Sequence, residues 1–236
     1  MSDHYRQIYQ TQASRYDNLV AREDYEGNIL VALNDIQAMQ DANVVEFGAG
    51  TGRLTRLLAP LVRSIRAFDA SPHMLEIATK TLQESGATNW SVEVGDNRAL
   101  PVESGTADIA IEGWSFGHFQ GWYPDSWRDE AGKAIAEMGR VLRVGGTAIL
   151  LETMGTGFAK PMPPTRELAA FYAWIETECG FSSQTIRTDY RFESIDEYDE
   201  LIRFFFGDET ADVADIMPDG DRVIVPENTG IWWKIM

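Results

Sequence analysis

Between residues 44 and 71 the chain runs through an apolar stretch, three alternate glycines, a helix-like segment and a second apolar stretch that ends in a carboxylate. Val44, Val45 and Phe47 lead into Gly48, Gly50 and Gly52, while Ile65, Ala67 and Phe68 lead into Asp69. This order predicts a βαβ unit whose first turn lets backbone approach a nucleotide-like ligand. A Cβ at the glycines would block both the tight turn and the close approach. An acid at the tip of the second strand can accept hydrogen bonds from both ribose hydroxyls.

The remaining pattern extends that unit. The first forty residues read as amphipathic helix, with Ile29, Leu30, Leu33, Ile36 and Met39 on one face. Ser71 and Pro72 read as an N-cap and a first helical residue, opening a helix with Met74, Leu75, Ala78 and Leu82 at core spacing. Strands are expected at 90–94, 107–111 and 147–151. A helix over about 129–143 should stop at Gly145 and Gly146. The segment 155–164 reads as a loop, 165–179 as a helix, and 183–192 as a strand. Ser194 and Glu197 form a capping box for a helix with Ile195, Tyr198, Leu201, Ile202 and Phe205 on one face. The acidic 208–221 segment reads as loop, and 223–235 holds a last strand. Strands alternating with helices argue for an α/β, doubly wound and mostly parallel sheet in a single domain over 1–236.

Composition narrows the partners. The net charge is −17, and the 20 Lys and Arg residues form no basic run, so a nucleic-acid substrate is disfavoured. The acids between Glu193 and Asp221 read as a solvated surface. No apolar run is long enough for a membrane helix, and the first six residues are too polar for a secretory signal. A lone cysteine, Cys179, excludes an intrachain disulfide and suggests a reducing cytoplasm. The histidines His4, His73 and His118 show no metal-ligand spacing. Aromatics near 204–206 and 232–233 are candidate exposed surfaces for a homodimer.

Three further features join the glycine loop and Asp69: Glu46 ahead of the first glycine, Gly95-Asp96-Asn97 after the third strand, and Arg140 to Gly146 before the fifth. As an ordered set these resemble the class I S-adenosylmethionine-dependent methyltransferases of the small-molecule type, with type 11 and type 25 domains as the nearest pattern. The resemblance covers about 40–155 most firmly. It implies a Rossmann-like seven-stranded sheet whose last strand runs antiparallel in a hairpin with the sixth. A helical cap would occupy 1–40, the cofactor-binding core 41–155 and substrate-side elements 156–236, with an insertion between the last two strands. Lids would come from 1–25, 155–164 and 194–221.

The resemblance also implies roles. S-adenosylmethionine would be the cofactor and S-adenosylhomocysteine the product, with a small-molecule acceptor methylated at O, N or C. Gly48, Ala49, Gly50 and Gly52 would pass close to the methionine and ribose portions, with Ala70 beside Asp69. Glu46 matches an acidic position near the methionine end, against a reading as a cap on backbone amides. Met74 either packs on adenine or fills core. Asp96 and Asn97 either meet the adenine amino group or form a turn. Glu112 and Trp114 lie at the ligand-binding edge of the sheet. Trp114 or Tyr16 could border the sulfonium as an aromatic face, or simply pack. His118 is the candidate general base, with a structural histidine as the rival reading. The aromatics Trp114, Phe116, Phe119, Trp122, Tyr123 and Trp127 either line an acceptor pocket or fill a core.

Two rivals remain at this level. A nicotinamide-dependent oxidoreductase shares the βαβ logic, but its third glycine would stand where Arg53 does. A non-catalytic module that binds the same cofactor would share every motif.

Overall fold

The computed structural model describes residues 3–236. Three short helices come first: α1 (Asp3–Thr11), α2 (Ala13–Val20) and α3 (Asn28–Ile36). The predicted βαβ unit follows as β1 (Asn43–Phe47), α4 (Arg53–Leu58) and β2 (Ser64–Asp69). Next come α5 (Pro72–Glu84), β3 (Trp90–Val94), β4 (Ala107–Gly113), a 3₁₀ turn (Phe116–His118), α6 (Phe119–Trp122) and α7 (Trp127–Val141). Strand β5 (Leu142–Thr156), α8 (Arg166–Thr177) and β6 (Ser182–Arg187) lead to an insertion. It comprises β7 (Tyr190–Phe192), α9 (Ile195–Phe206), α10 (Asp208–Val213), β8 (Met217–Asp219) and β9 (Arg222–Val225). Strand β10 (Glu227–Ile235) closes the chain.

The main sheet has seven strands in the order β3-β2-β1-β4-β5-β10-β6. Pairing is parallel from β3 through β5, and β10 runs antiparallel between β5 and β6. The strands reverse order between β1 and β4, so β1, β2 and β4 deliver their C-terminal ends to one crevice. That is where open α/β sheets hold ligands. Strands β1 and β4 are buried almost throughout, as strands covered on both faces must be. One face carries a core including Phe47, Phe116, Met138, Phe171 and Trp174; the other carries Leu33, Leu54, Leu58, Ile109 and Ile149.

Local chemistry explains the helix starts. Ser71 Oγ accepts from Met74 N–H at 3.4 Å with Pro72 behind it, and Met74, Leu75, Ala78 and Leu82 are all buried. Ser194 Oγ accepts from Glu197 N–H at 3.1 Å, while the Glu197 carboxylate reaches back to Glu193 N–H at 2.7 Å.

The structure corrects several expectations. Gly145 and Gly146 do not end α7: the helix stops at Val141, and Leu142 turns directly into strand with ψ 139° because it already pairs with Ala107. The run 183–192 is two strands in two sheets, parted at Thr188 and Asp189. Asp189 there binds the Arg187 guanidinium at 2.7 Å and accepts from Glu227 N–H at 3.0 Å. The 208–221 segment is not all loop, since it holds α10 and β8; β8 and β7 flank β9 in a separate three-stranded sheet. The predicted final strand over 223–235 is likewise two, β9 and β10. Ile195 stands exposed at the first turn of α9, while Tyr198, Leu201 and Ile202 pack with Leu19 of α2 and with Tyr190 and Phe192. Trp232 is not a surface aromatic: it is buried, stacks on Tyr172 at 4.6 Å and donates its indole N–H to Glu176 at 2.7 Å. Among the described residues, no helix is long and apolar enough to cross a membrane.

Candidate functional site

At the switch point the chain builds two adjoining cavities. The first, of about 430 Å³, lies over the glycine loop and the end of β2. Its floor is Gly48, Ala49 and Gly50, its sides include Glu46, Asp69, Ala70 and Met74, and Tyr9 and Tyr16 roof it from α1 and α2. The second, of about 460 Å³, lies under α9, α10 and the 155–164 loop. Tyr9, Tyr16, Arg53, Trp114 and His118 line both cavities and form the wall between them. Residues 1–25 were an expected lid; of these, Met1 and Ser2 lie outside the described residues.

The loop is shaped by two constraints. Gly48 has φ 67°, and a Cβ there would stand 2.1 Å from Ser115 Oγ. Gly50 has φ 55°, and its N–H donates to Asp69 Oδ2 at 2.9 Å. The other Asp69 oxygen accepts from Ser71 N–H at 2.7 Å, so one carboxylate pins both the glycine loop and the start of α5. Burial raises the Asp69 pKa, and these two N–H groups oppose the rise. Each oxygen keeps a lone pair for a further donor. Thr51 Oγ1 is buried in this loop with no hydrogen-bond partner among the described residues.

Glu46 sits deeper, only 2% exposed, with Thr55 Oγ1 donating to it at 2.6 Å. Burial pushes its carboxyl up to about 8. On the far side, Glu112 and Glu152 hold the backbone that follows β4. Glu112 Oε2 accepts from Ser115 and Phe116 N–H at 3.0 and 3.2 Å, and Glu152 Oε1 accepts from Gly117 N–H at 2.6 Å. Burial raises both carboxyls, and Glu152 pushes Glu112 higher still. Between them Trp114 adopts φ 54°, a left-handed conformation rare for a bulky residue and the kind of strain that clusters at ligand sites.

The wall is polar at its centre. Arg53 donates from Nη1 to Glu23 Oε2 at 2.8 Å and lies 4.0 Å over the Trp114 ring, so one Trp114 face is taken by this chain's own cation. Tyr9 Oη and His118 Nε2 are 3.0 Å apart, and the imidazole stacks on Trp122 at 5.1 Å. Burial pulls His118 down to about 4 and lifts Tyr9 well above its ordinary value. At neutral pH the phenol therefore keeps its proton and the imidazole is neutral, and the imidazole's tautomer sets which of the two donates.

Of the residues singled out from sequence, Tyr16, Glu46, Gly48, Ala49, Gly50, Asp69, Ala70, Met74 and His118 line the first cavity, as do Trp114, Trp122 and Tyr123. The others stand elsewhere. Gly52 caps α4 and faces Ala78. Exposed Asp96 is engaged by Arg98 at 2.5 and 2.8 Å, and Arg98 also binds Glu130. Asn97 donates to Ser115 Oγ at 3.1 Å, and Glu112 lies beneath the 115–116 backbone. Phe116 and Phe119 belong to the core. Sequence reasoning missed Tyr9, Glu23, Glu152 and Glu227. No local motif marks them, because their contacts join segments 30 to 109 residues apart.

The raised carboxyls set a pH response. An acid with a folded pKa of about 8 and an unfolded one of about 4.3 keeps its proton only when folded, so stability falls as pH rises between those values. His118 acts oppositely but only below about pH 6.5, where the unfolded imidazole takes up a proton. The ligand-free protein should therefore lose stability from about pH 6.5 to 8. Glu46→Gln should make that loss shallower by up to about 1.4 kcal/mol per pH unit. Urea midpoints across the window measure this, and a flat or rising wild-type profile would contradict it.

Comparison with known proteins points one way. Residues 44–146 match the family model described as a methyltransferase domain. An uncharacterized methyltransferase of Bacillus cytotoxicus is 27% identical over 159 residues, 65% of this chain and 69% of the relative. The uncharacterized protein YafE of Escherichia coli is 28% identical over 130 residues, 55% of this chain and 54% of its own length. Among solved structures, YcgJ of Bacillus subtilis aligns with a TM-score of 0.57 at 17% identity, over 89% of this chain and 98% of that one. A phosphoethanolamine N-methyltransferase of Haemonchus contortus, solved with S-adenosyl-L-methionine, aligns with a TM-score of 0.61 at 14% identity, over 100% of this chain and 60% of that one. Likeness at these identities is likeness of fold.

Proposed function

We propose that the chain is a methyltransferase that uses S-adenosylmethionine and transfers the methyl group to a nucleophilic atom of a small molecule held in the second cavity. The observation that carries this reading is the shared wall: the cleft over the glycine loop and a second chamber meet at Tyr9, Tyr16, Arg53, Trp114 and His118.

The first cavity fits the cofactor by its own chemistry. Glycines at positive φ that keep backbone on the cavity floor, a buried carboxylate with one partner, and an orphaned threonine hydroxyl all lie in one loop and strand end. Glu46 would hold the amino group of the methionine end. Asp69 would take the ribose hydroxyls, and Met74 would pack against the base. When bound, the cofactor supplies an activated methyl on a sulfonium. The protein's part is then to align the acceptor with that carbon and to exclude water, which the roof of α1 and α2 does.

His118, neutral at working pH and present on both cavities, is the proposed proton acceptor, with Tyr9 fixing its orientation. His118→Ala should lower turnover with the true acceptor by about 10²-fold or more while leaving S-adenosylhomocysteine affinity unchanged. Near-normal turnover would make His118 a wall residue.

Calorimetry with S-adenosylhomocysteine and NADH tests the cofactor assignment. Micromolar binding of the first and none of the second is expected; the reverse would make the chain an oxidoreductase. Methyl-labelled cofactor with a metabolite extract tests turnover, and persistent absence of labelled product despite binding would make the chain a binding module.

A further inference from the structure

The second chamber has an unusual charge inventory for a buried space. Glu152 and Glu227 are 4% and 2% exposed, the Glu23 side chain is 4% exposed, and all three line the chamber. One buried cation, Arg53, answers them: its Nη1 donates to Glu23, and its buried Nη2 has no hydrogen-bond partner among the described residues. Lys160, the other cation on the lining, is exposed in the loop that follows β5. Three buried carboxyl groups therefore share this chamber with one buried guanidinium.

Glu227 is the more telling of the two. The β5–β10 ladder shifts register between Glu227 and Thr229, a bulge of the kind that re-aims a side chain. The backbone there is locked: Glu227 N–H donates to Asp189 and its carbonyl accepts from Thr188 N–H at 2.9 Å. Glu227 Oε1 accepts from Thr153 Oγ1 at 3.0 Å, but Oε2 has no hydrogen-bond partner among the described residues. An orphaned carboxylate oxygen in a cavity wall is costly to keep unless a ligand donor meets it. Aromatic rings line the same chamber: Tyr5 and Tyr16 lie 5.1 and 5.3 Å from Phe205, and Tyr190 joins them. Aromatic faces and an unpaired carboxylate together select positive charge with an apolar body, because both interactions strengthen in a water-poor site.

We propose that the second chamber receives a small organic cation, an alkyl- or arylalkylammonium compound, with its charged nitrogen against Glu227 and its apolar body among Tyr5, Tyr16 and Phe205. The proposal rests on the reading of the first cavity as the donor site and narrows the acceptor to an amine. An anionic acceptor would meet Arg53 Nη2 alone beside three carboxyl groups, whereas an ammonium lets Glu227 give up its proton and pair with it. A neutral alcohol would gain the aromatic contacts and could donate one hydrogen bond to Oε2, but it brings no charge to an ionised Glu227.

The test uses three probes of one shape, phenethylamine, 2-phenylethanol and phenylacetate, titrated into the full chain saturated with S-adenosylhomocysteine. The amine is expected to bind at least about tenfold tighter than the other two. Glu227→Gln should remove most of that preference while leaving the alcohol's affinity as it was. The wild-type charge series stands by itself should the variant fold poorly. Equal affinities, a preference for the acid or alcohol, or no binding by any probe would overturn the proposal. Failure of S-adenosylhomocysteine to bind, with the amine preference intact, would instead overturn the donor assignment alone.

Discussion

Arg53→Met should lower the stability of the protein by about 3–5 kcal/mol, because it strands the Glu23 carboxylate in the wall between the two cavities. For a chain of this size that is a fall in Tm of roughly 6–20 °C. The Arg53 and Glu23 side chains are 16% and 4% exposed, so water compensates poorly for the lost partner. Burial alone would lower the Arg53 pKa, and the nearby Glu23 charge more than offsets it, leaving the guanidinium firmly charged. Methionine keeps length and apolar contact with Trp114 but no charge. Removing the partner as well should undo much of the damage: Arg53→Met with Glu23→Gln is expected to recover at least half of the loss, as a neutral pair buries more cheaply than a lone carboxylate. Differential scanning calorimetry of both single variants and the double variant measures the coupling. A single-variant loss under about 1 kcal/mol would mean that solvent reaches this wall and that the cavities are not separated as described.

The elements that the sequence made legible are those written by local rules. The βαβ unit needs short-range signals only: apolar runs of strand length, glycines where φ is positive, and an acid at a strand tip. Each of these stands in the structure, from Gly48 to Asp69. Helix starts at Ser71, Thr165 and Ser194 were equally local, since a side-chain cap is a contact three residues long. What was hidden depends on chain crossings. The run 183–192 alternates like one strand, but the Arg187–Asp189 pair turns it out of the main sheet to meet β9. Asp96 looked like a ligand contact because it follows β3, yet Arg98 two residues on engages it. The chamber beside the donor cleft was the least legible part. Glu23, Glu152 and Glu227 come from three distant segments, and nothing in a one-dimensional pattern says that their carboxyls share a cavity with Arg53. His118 was visible as a residue type, whereas its Tyr9 partner, 109 residues earlier, was not.

Asp69→Ala should weaken S-adenosylhomocysteine binding by about 10²-fold, equivalent to about 2.7 kcal/mol. Two losses combine. The variant removes the acceptor proposed for the ribose hydroxyls, and it leaves the N–H groups of Gly50 and Ser71 without their present partner. The second loss matters because Gly50 N–H shapes the very turn that receives the ligand; once released, the loop must be reordered on binding. Asp69→Asn separates the two contributions. Its amide oxygen can still accept from one of the two N–H groups, but its NH₂ then faces the other, and it offers the ribose one acceptor oxygen instead of two. An intermediate loss of about tenfold is expected for it. Calorimetric titration of wild type and both variants, each checked for an unchanged far-ultraviolet spectrum, reads the effect. If Asp69→Ala binds as tightly as wild type, the ribose lies elsewhere and Asp69 is solely the clasp between the glycine loop and α5. If Asp69→Asn is as weak as Asp69→Ala, the loop geometry and not the ribose contact governs affinity.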